Sequence, residues 1–199
     1  NKMSSTLGTV LATFKFAKSG FIPWKLSLSC VVCAFAGSSL GANLALMMDA
    51  KVFMLFMLIV LPATGLYLTR GNVLVTEKSP YTYKKTVILS MVTALFLGVY
   101  DGFYGPGTGT FLLLLLTGIA HLPLKEANGV TKVINSTTNI AALCIFLLHG
   151  KVLFPLGIID GLFGMALYFE KGGARNVKPI ILFVLAIFFC KLVYEMYIK

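Results

Sequence analysis

The segment GVYDGFYGPGTGTF, residues 98–111, places an acid, a proline and several glycines between two strongly apolar runs. Proline removes a backbone donor and glycine disfavours a helix, so the segment predicts a broken or re-entrant helix at residues 104–110. A helix that resumes there presents free amides and a partial positive charge, which bind anions. The residues assigned to this element are Asp101, Gly105, Pro106, Gly107, Thr108 and Gly109. A tight turn that only packs two helices is the alternative.

Asp101 lies four residues before Gly105, inside an apolar run. A charge at membrane depth costs several kcal/mol, so this carboxylate must be paired, hydrated or protonated. Lys132 is the expected partner if both side chains face one cavity. Asp101 would then couple transport to a proton or to the substrate. A helix end near the membrane surface is the other interpretation.

Two stretches carry more polar residues than a lipid-facing helix would. They are TKVINSTTN at residues 131–139 and NKMSST at residues 1–6. Lysine supplies a point charge, and hydroxyl and amide groups supply donors of fixed direction, so the stretches are predicted to line the path of a small anion. The lining residues are Lys132, Asn135, Ser136 and Asn139, together with Lys2, Ser5 and Thr6. Hydrogen bonds between helices are the alternative.

The two polar stretches belong to a weak internal repeat. Residues 1–26 align without a gap over residues 131–156, which places Lys2 over Lys132. The alignment also places Thr6 over Ser136 and Thr9 over Asn139. Spacings of four and three put each trio on one helical face.

The composition says which elements carry these residues. The chain of 199 residues is 58% apolar and only 12% charged, whereas a soluble domain carries about a quarter charged residues. We therefore expect an all-α integral membrane bundle, since only helices and closed barrels satisfy the backbone in lipid and no alternating strand pattern occurs. The predicted helices cover residues 2–18, 26–47, 52–68, 86–104, 110–122, 133–148, 152–169 and 179–197.

The basic loop at residues 69–85 divides the chain into a first repeat, 1–68, and a second repeat, 86–199. An even number of crossings between residues 86 and 122 collects most cations on the side of this loop. It leaves Lys2, Lys51, Lys151 and Lys199 on the other side. The positive-inside rule then makes the loop cytoplasmic. The same parity inverts the two repeats, which is typical of transporters.

Other functions find less support in the sequence. The net charge is +10, but the cations cluster between apolar runs, so no nucleic-acid partner is predicted. Neither a nucleophile with its base nor clustered metal ligands occurs, so we predict no enzyme, no metal and no cofactor. The four cysteines are interpreted as small buried side chains, and GSSLGA at residues 37–42 as a close contact between helices.

Four segments resemble the TauE/SafE family of sulfite exporter-type membrane transporters. They are NKMSSTLGTVLATFKFAKSG, GVYDGFYGPGTGTF, KEANGVTKVINSTTNIAAL and GARNVKPIILFVLAIFFCKLVYE. The resemblance covers nearly the whole chain and implies two related halves that move sulfur-containing anions. In the family a glycine-rich motif mirroring 98–111 lies in the first half, ahead of the part matched by residue 1, so we expect the first repeat to be N-terminally incomplete. Asp160 and the short run after residue 166 depart from the family pattern.

These observations predict a multi-pass transporter of the bacterial inner membrane. It would carry a small anion, such as sulfite, a sulfonate or a related organosulfur anion, by alternating access. The expected partners are the lipid bilayer and the anion, and both coupling to protons and a homodimer are left open. A non-transporting structural or assembly subunit, or an inactive fragment, is the alternative.

Overall fold

A computed structural model describes residues 2–49, 51–52, 55, 59, 81–152, 154–155, 157–159 and 161. The predicted helix at 179–197 and Asp160 lie outside the described residues, as do most of the helices at 52–68 and 152–169 and of the loop at 69–85. The chain forms two compact units, one of residues 1–46 and 72–165 and one of residues 47–71 and 166–199. In the second unit, the amide of Lys51 donates to the carboxylate of Asp49 at 2.8 Å.

The described part of the chain is helical and contains no strand. Its helices are α1 (Lys2–Lys18), α2 (Trp24–Met47), α3 (Tyr83–Phe103), α4 (Thr108–Gly118) and α5 (Leu124–Leu148). The predicted all-α fold is confirmed. The break between α3 and α4 covers residues 104–107, which is shorter than the predicted 104–110.

The predicted start of α5 was wrong by nine residues, since the helix begins at Leu124 and not at residue 133. Lys125 and Glu126 are charged, as residues of a loop often are. Glu126 nevertheless lies in the first turn of the helix, where a negative charge interacts favourably with the helix dipole. The polar stretch 131–139 therefore lies in the middle of α5 and not at its start.

The helices α2, α3 and α5 are each long and apolar enough to cross a membrane. Many large side chains of α2 and α3 point outward: Val32 of α2 is 70% exposed and Phe96 of α3 is 69% exposed. Small residues such as Cys30 and Ala34 are fully buried instead. Small residues on the inner faces of α2 and α3 suit a bilayer, where close helix contact holds a bundle together. Helix α5 differs, since its Val130 and Ile134 are fully buried. The chain is an integral membrane protein.

Glycines bring α2 and α3 into backbone contact. A Cβ atom at Gly37 or Gly41 would overlap the main chain of α3 near Leu95 or Val99. A Cβ at Gly102 would overlap the carbonyl group of Ser38 in return. The expected close packing of GSSLGA is confirmed, and its partner is a second pair of glycines four residues apart, at positions 98 and 102.

The helix α1 packs against α5, and α4 packs against both α3 and α5. The hydroxyl of Thr13 donates to the carbonyl oxygen of Lys132 at 2.9 Å, and the ammonium of Lys2 lies 3.4 Å from Oδ1 of Asn139. As the chain advances along α1, its contacts move backward along α5. The two helices that the sequence repeat equates are therefore antiparallel where they touch; inversion of the whole repeats stays a prediction.

Candidate functional site

The site is built around the break between α3 and α4. Gly105 has a φ of +98° and Gly107, the residue that precedes α4, a φ of +82°. These are left-handed conformations that glycine adopts without strain. The Phe111 ring lies 5.7 Å from that of Tyr100, so the chain turns back at the break. With 11 residues, α4 is roughly 16 Å long, about half of the hydrocarbon thickness of a membrane.

The break leaves backbone donors without helical partners. Thr108 donates its amide to the carbonyl of Gly105 at 3.2 Å, and Thr110 donates to that of Gly107 at 3.0 Å. The amides of Gly105, Gly107 and Gly109 form no backbone hydrogen bond with another described residue. Free amides at the N-terminal end of a helix attract negative charge.

Asp101 is held against the break by α4. Only 3% of the residue is exposed. The hydroxyl of Thr108 lies 2.9 Å from its Oδ1 atom and 2.6 Å from the carbonyl oxygen of Gly105. The hydroxyl of Tyr100 donates to the carbonyl of Pro106 at 2.7 Å. These bonds fix the glycine-rich turn to the end of α3.

Lys2 reaches this cluster from α1. Its Nζ atom lies 3.2 Å from Oδ2 of Asp101, and the side chain is 14% exposed. It also donates to the main-chain oxygen of Asp101 and to Oδ1 of Asn139. A Cβ at Gly105 would lie 2.9 Å from the same ammonium. Helices α1, α3, α4 and α5 therefore meet at one buried ion pair.

The predicted pairing of Asp101 with Lys132 was wrong. The ammonium of Lys132 lies 6.0 Å from the ring centroid of Phe16, and the ion pair within the described residues comes from Lys2. Lys2 and Lys132 occupy equivalent positions of the internal repeat. The sequence therefore predicted correctly that a lysine pairs with Asp101, but it assigned that role to the lysine of the second repeat and not to that of the first.

Of the other predicted lining residues, Asn135 reaches the broken helix, whereas no hydrogen bond joins Ser5, Thr6 or Ser136 to it in the described region. Asn135 of α5 lies against the start of α4, since a Cβ at Gly109 would be 2.9 Å from its amide nitrogen. Thr6 donates to the main-chain oxygen of Lys2 within its own helix at 2.7 Å. In the described region, side-chain hydrogen bonds connect neither Ser5 nor Ser136 to the Lys2–Asp101 cluster.

Two tyrosines at the break were not among the predicted site residues. Tyr100 closes the turn through Pro106, and the hydroxyl of Tyr104 is buried without a hydrogen-bond partner among the described residues. Both belong to the segment YDGFYGP, and their position on either side of Asp101 was the available signal.

A membrane bundle with a broken helix, free amides and a buried charged pair has the architecture of a transporter. The model of the family described as Sulfite exporter TauE/SafE matches residues 1–192. The chain belongs to this family, and it is a membrane transporter.

Curated relatives agree with that assignment. A probable membrane transporter protein, ORF9, of Sinorhizobium is 30% identical over 92% of this chain and 72% of its own length. A probable membrane transporter protein of Haemophilus influenzae is 28% identical over 98% of this chain and 78% of its own. The probable membrane transporter protein YfcA of Escherichia coli is 27% identical over 98% and 74%. These names describe transporters, as the prediction of a non-enzyme requires. No solved structure matches the chain significantly.

Proposed function

We propose that the chain moves a small sulfur-containing anion, such as sulfite or a sulfonate, across the bacterial inner membrane by alternating access. The observation that carries this proposal is the placement of the Lys2 ammonium beside the interrupted helix. There the free amides of Gly105, Gly107 and Gly109 and the N-terminal end of α4 supply further positive potential. The family description, which names a sulfite exporter, supports the choice of anion.

The chemistry of the site suits an oxyanion. A sulfite or sulfonate group presents three oxygens, which accept hydrogen bonds from several directions. Lys2 provides a mobile point charge, and the amides provide donors of fixed geometry. Asn135, which contacts Gly109, and Asn139, which contacts Lys2, add polar groups from α5. The site is therefore proposed to hold the anion between α1, α4 and α5.

The proposal extends to the surroundings of the site. The chain would cross the membrane several times, with the loop at residues 69–85 in the cytoplasm and the two repeats inverted. Lys132, the repeat equivalent of Lys2, would line the same path with Ser5, Thr6 and Ser136. Alternating access would move one repeat against the other around the anion.

Flux of labelled sulfite into vesicles containing the purified full chain tests the proposal. Lys2→Gln is expected to lower the initial rate at low sulfite concentration roughly tenfold or more, because a charge-assisted hydrogen bond is lost. Lys18→Gln is the matched control, since it removes a charge from an exposed position of the same helix. Lys132→Gln tests whether the equivalent lysine contributes.

The result separates the alternatives. Equal rates for Lys2→Gln and Lys18→Gln would contradict the assignment of the site. If the wild-type chain carries neither sulfite nor a sulfonate, the proposed substrate is overturned. Thermal unfolding of each variant in detergent excludes loss of fold as the cause of a lowered rate.

A further inference from the structure

The two oxygens of the Asp101 carboxylate are held differently. Oδ1 accepts a hydrogen bond from the hydroxyl of Thr108 at 2.9 Å, within the broken-helix element. Oδ2 has no hydrogen bond to any described residue and faces the Lys2 ammonium at 3.2 Å. One oxygen is thus anchored to α4, and the other depends on a cation from a different helix. The second oxygen can exchange its partner without disturbing the first.

The pair is electrically neutral, and a substrate anion would disturb that balance. An anion that binds the Lys2 ammonium competes with Asp101 for the same charge. Asp101, which is 3% exposed, would then remain as an uncompensated buried carboxylate. Burial without a partner strongly disfavours the charged form of an acid, so the carboxylate would take up a proton.

We propose that Asp101 is the coupling carboxylate of the transporter, which binds a proton whenever the substrate anion displaces it from Lys2. The anion and the proton therefore travel in the same direction. This inference rests on the proposed function and adds a second transported species to it. An O–H bond forms at Oδ2 with a proton from water on the entry side. It breaks on the exit side, where the anion leaves, the proton returns to water, and the Lys2 pair forms again.

Asp101 is the carboxylic acid of this site, as the charged and titratable groups around it show. Among the described residues, the charged Lys2 of α1 and the neutral Thr108 of α4 contact the carboxylate directly. The neutral Asn139 of α5 contacts Lys2. From α2, the Ser38 carbonyl contacts the adjacent Gly102. The other titratable groups of this segment are Tyr100, which directly precedes Asp101, and Tyr104, which directly follows α3. The cation Lys132 lies over the ring of Phe16.

The test counts protons per anion in vesicles that contain the full chain and a pH-sensitive dye. The probe is labelled methanesulfonate, because a sulfonate keeps its single negative charge across the neutral and mildly acidic range. The membrane potential is clamped with potassium and valinomycin. We expect about one proton to enter with each methanesulfonate and an inward proton gradient to raise its uptake several-fold. Asp101→Asn is expected to lower the number of protons per anion toward zero, whatever its remaining rate.

Two further variants complete the experiment. Asp101→Glu keeps a titratable oxygen and is expected to retain about one proton per anion. Asp49→Asn removes an exposed acid and is expected to retain the wild-type ratio.

The outcomes distinguish this inference from the proposed function. Absence of methanesulfonate and sulfite flux in the wild-type chain overturns the proposed function. Flux without proton entry, and without a response to the gradient, overturns the coupling and leaves anion transport in place. A wild-type ratio in Asp101→Asn, or a ratio of zero in Asp101→Glu, overturns the role of Asp101. If Asp101→Asn fails to fold, the wild-type measurement still tests the proton coupling, and Asp101→Glu still tests the role of Asp101.

Discussion

Lys2 and Asp101 are 99 positions apart in the sequence, yet their charged groups lie 3.2 Å apart inside the protein. One belongs to the first helix of the described chain and the other to the last turn of α3. The pair joins a helix of the first predicted repeat to the interrupted helix of the second. Any rearrangement of α1 against this break must separate the two charges or compensate them.

The first prediction concerns the energy of this pair. Lys2→Met and Asp101→Asn are each expected to lower the free energy of unfolding by about 3 kcal/mol, since each leaves a buried charge without its partner. The double variant is expected to lose less than the sum of the two. Unfolding in detergent micelles, analysed as a double-mutant cycle, measures the coupling. Simple additivity would mean that the pair contributes nothing to stability.

The second prediction concerns the contact of α2 with α3. Gly41→Ala is expected to lower the free energy of unfolding by about 1–3 kcal/mol or more, because the added methyl would overlap the main chain of Val99. Gly8→Ala, in α1, is the control, since nothing lies within 4 Å of its added Cβ. That variant should be neutral or gain up to about 1 kcal/mol from helix propensity. Equal effects of the two substitutions in thermal unfolding would contradict the packing described here.

The third prediction separates backbone strain from crowding at the site. Gly105→Ala and Gly150→Ala both place a side chain at a positive φ, of +98° and +63°, and each should cost about 1–2 kcal/mol. At Gly105 the new Cβ would also lie 2.9 Å from the Lys2 ammonium, whereas at Gly150 it would meet nothing within 4 Å. We expect anion flux to fall strongly in Gly105→Ala only. Matching losses of flux would attribute the effect to strain alone.

The fourth prediction concerns membrane topology. With the native cysteines Cys30, Cys33, Cys144 and Cys190 replaced, Ser79→Cys should react with an impermeant maleimide only in inside-out vesicles. Lys151→Cys should react only from the opposite side. The physical reason is the positive-inside rule applied to the basic loop at residues 69–85. Labelling of both positions from one side would change the parity of crossings and remove the inversion of the repeats.

The features that could be predicted from sequence are those with a local physical cause. The break followed from Pro106 and its neighbouring glycines, and the boundaries of α1 followed from the run between Lys2 and Lys18. The start of α5 could not be placed, because Lys125 and Glu126 are polar in a loop and in a helical first turn alike. The close packing of Gly37 and Gly41 was also local in origin.

The features that could not be predicted depend on which elements face each other. Lys2 and Lys132 occupy equivalent positions of a repeat, so the sequence alone could not decide which lysine meets Asp101. Likewise, Gly37 and Gly41 indicate a helix with a small-residue face but do not identify the opposing helix. In both cases the contact depends on the tertiary arrangement of the helices, which local sequence does not determine.

The glycine contact between α2 and α3 has a mechanical consequence. Main chain touches main chain there, at Gly41 and Val99 and again at Gly102 and Ser38, so no flexible side chain lies between the helices to absorb a sliding movement. We therefore expect α2 and α3 to move as one rigid unit in any conformational change. The interrupted backbone at residues 104–107, directly beside the carboxylate that Lys2 contacts, is then the expected hinge.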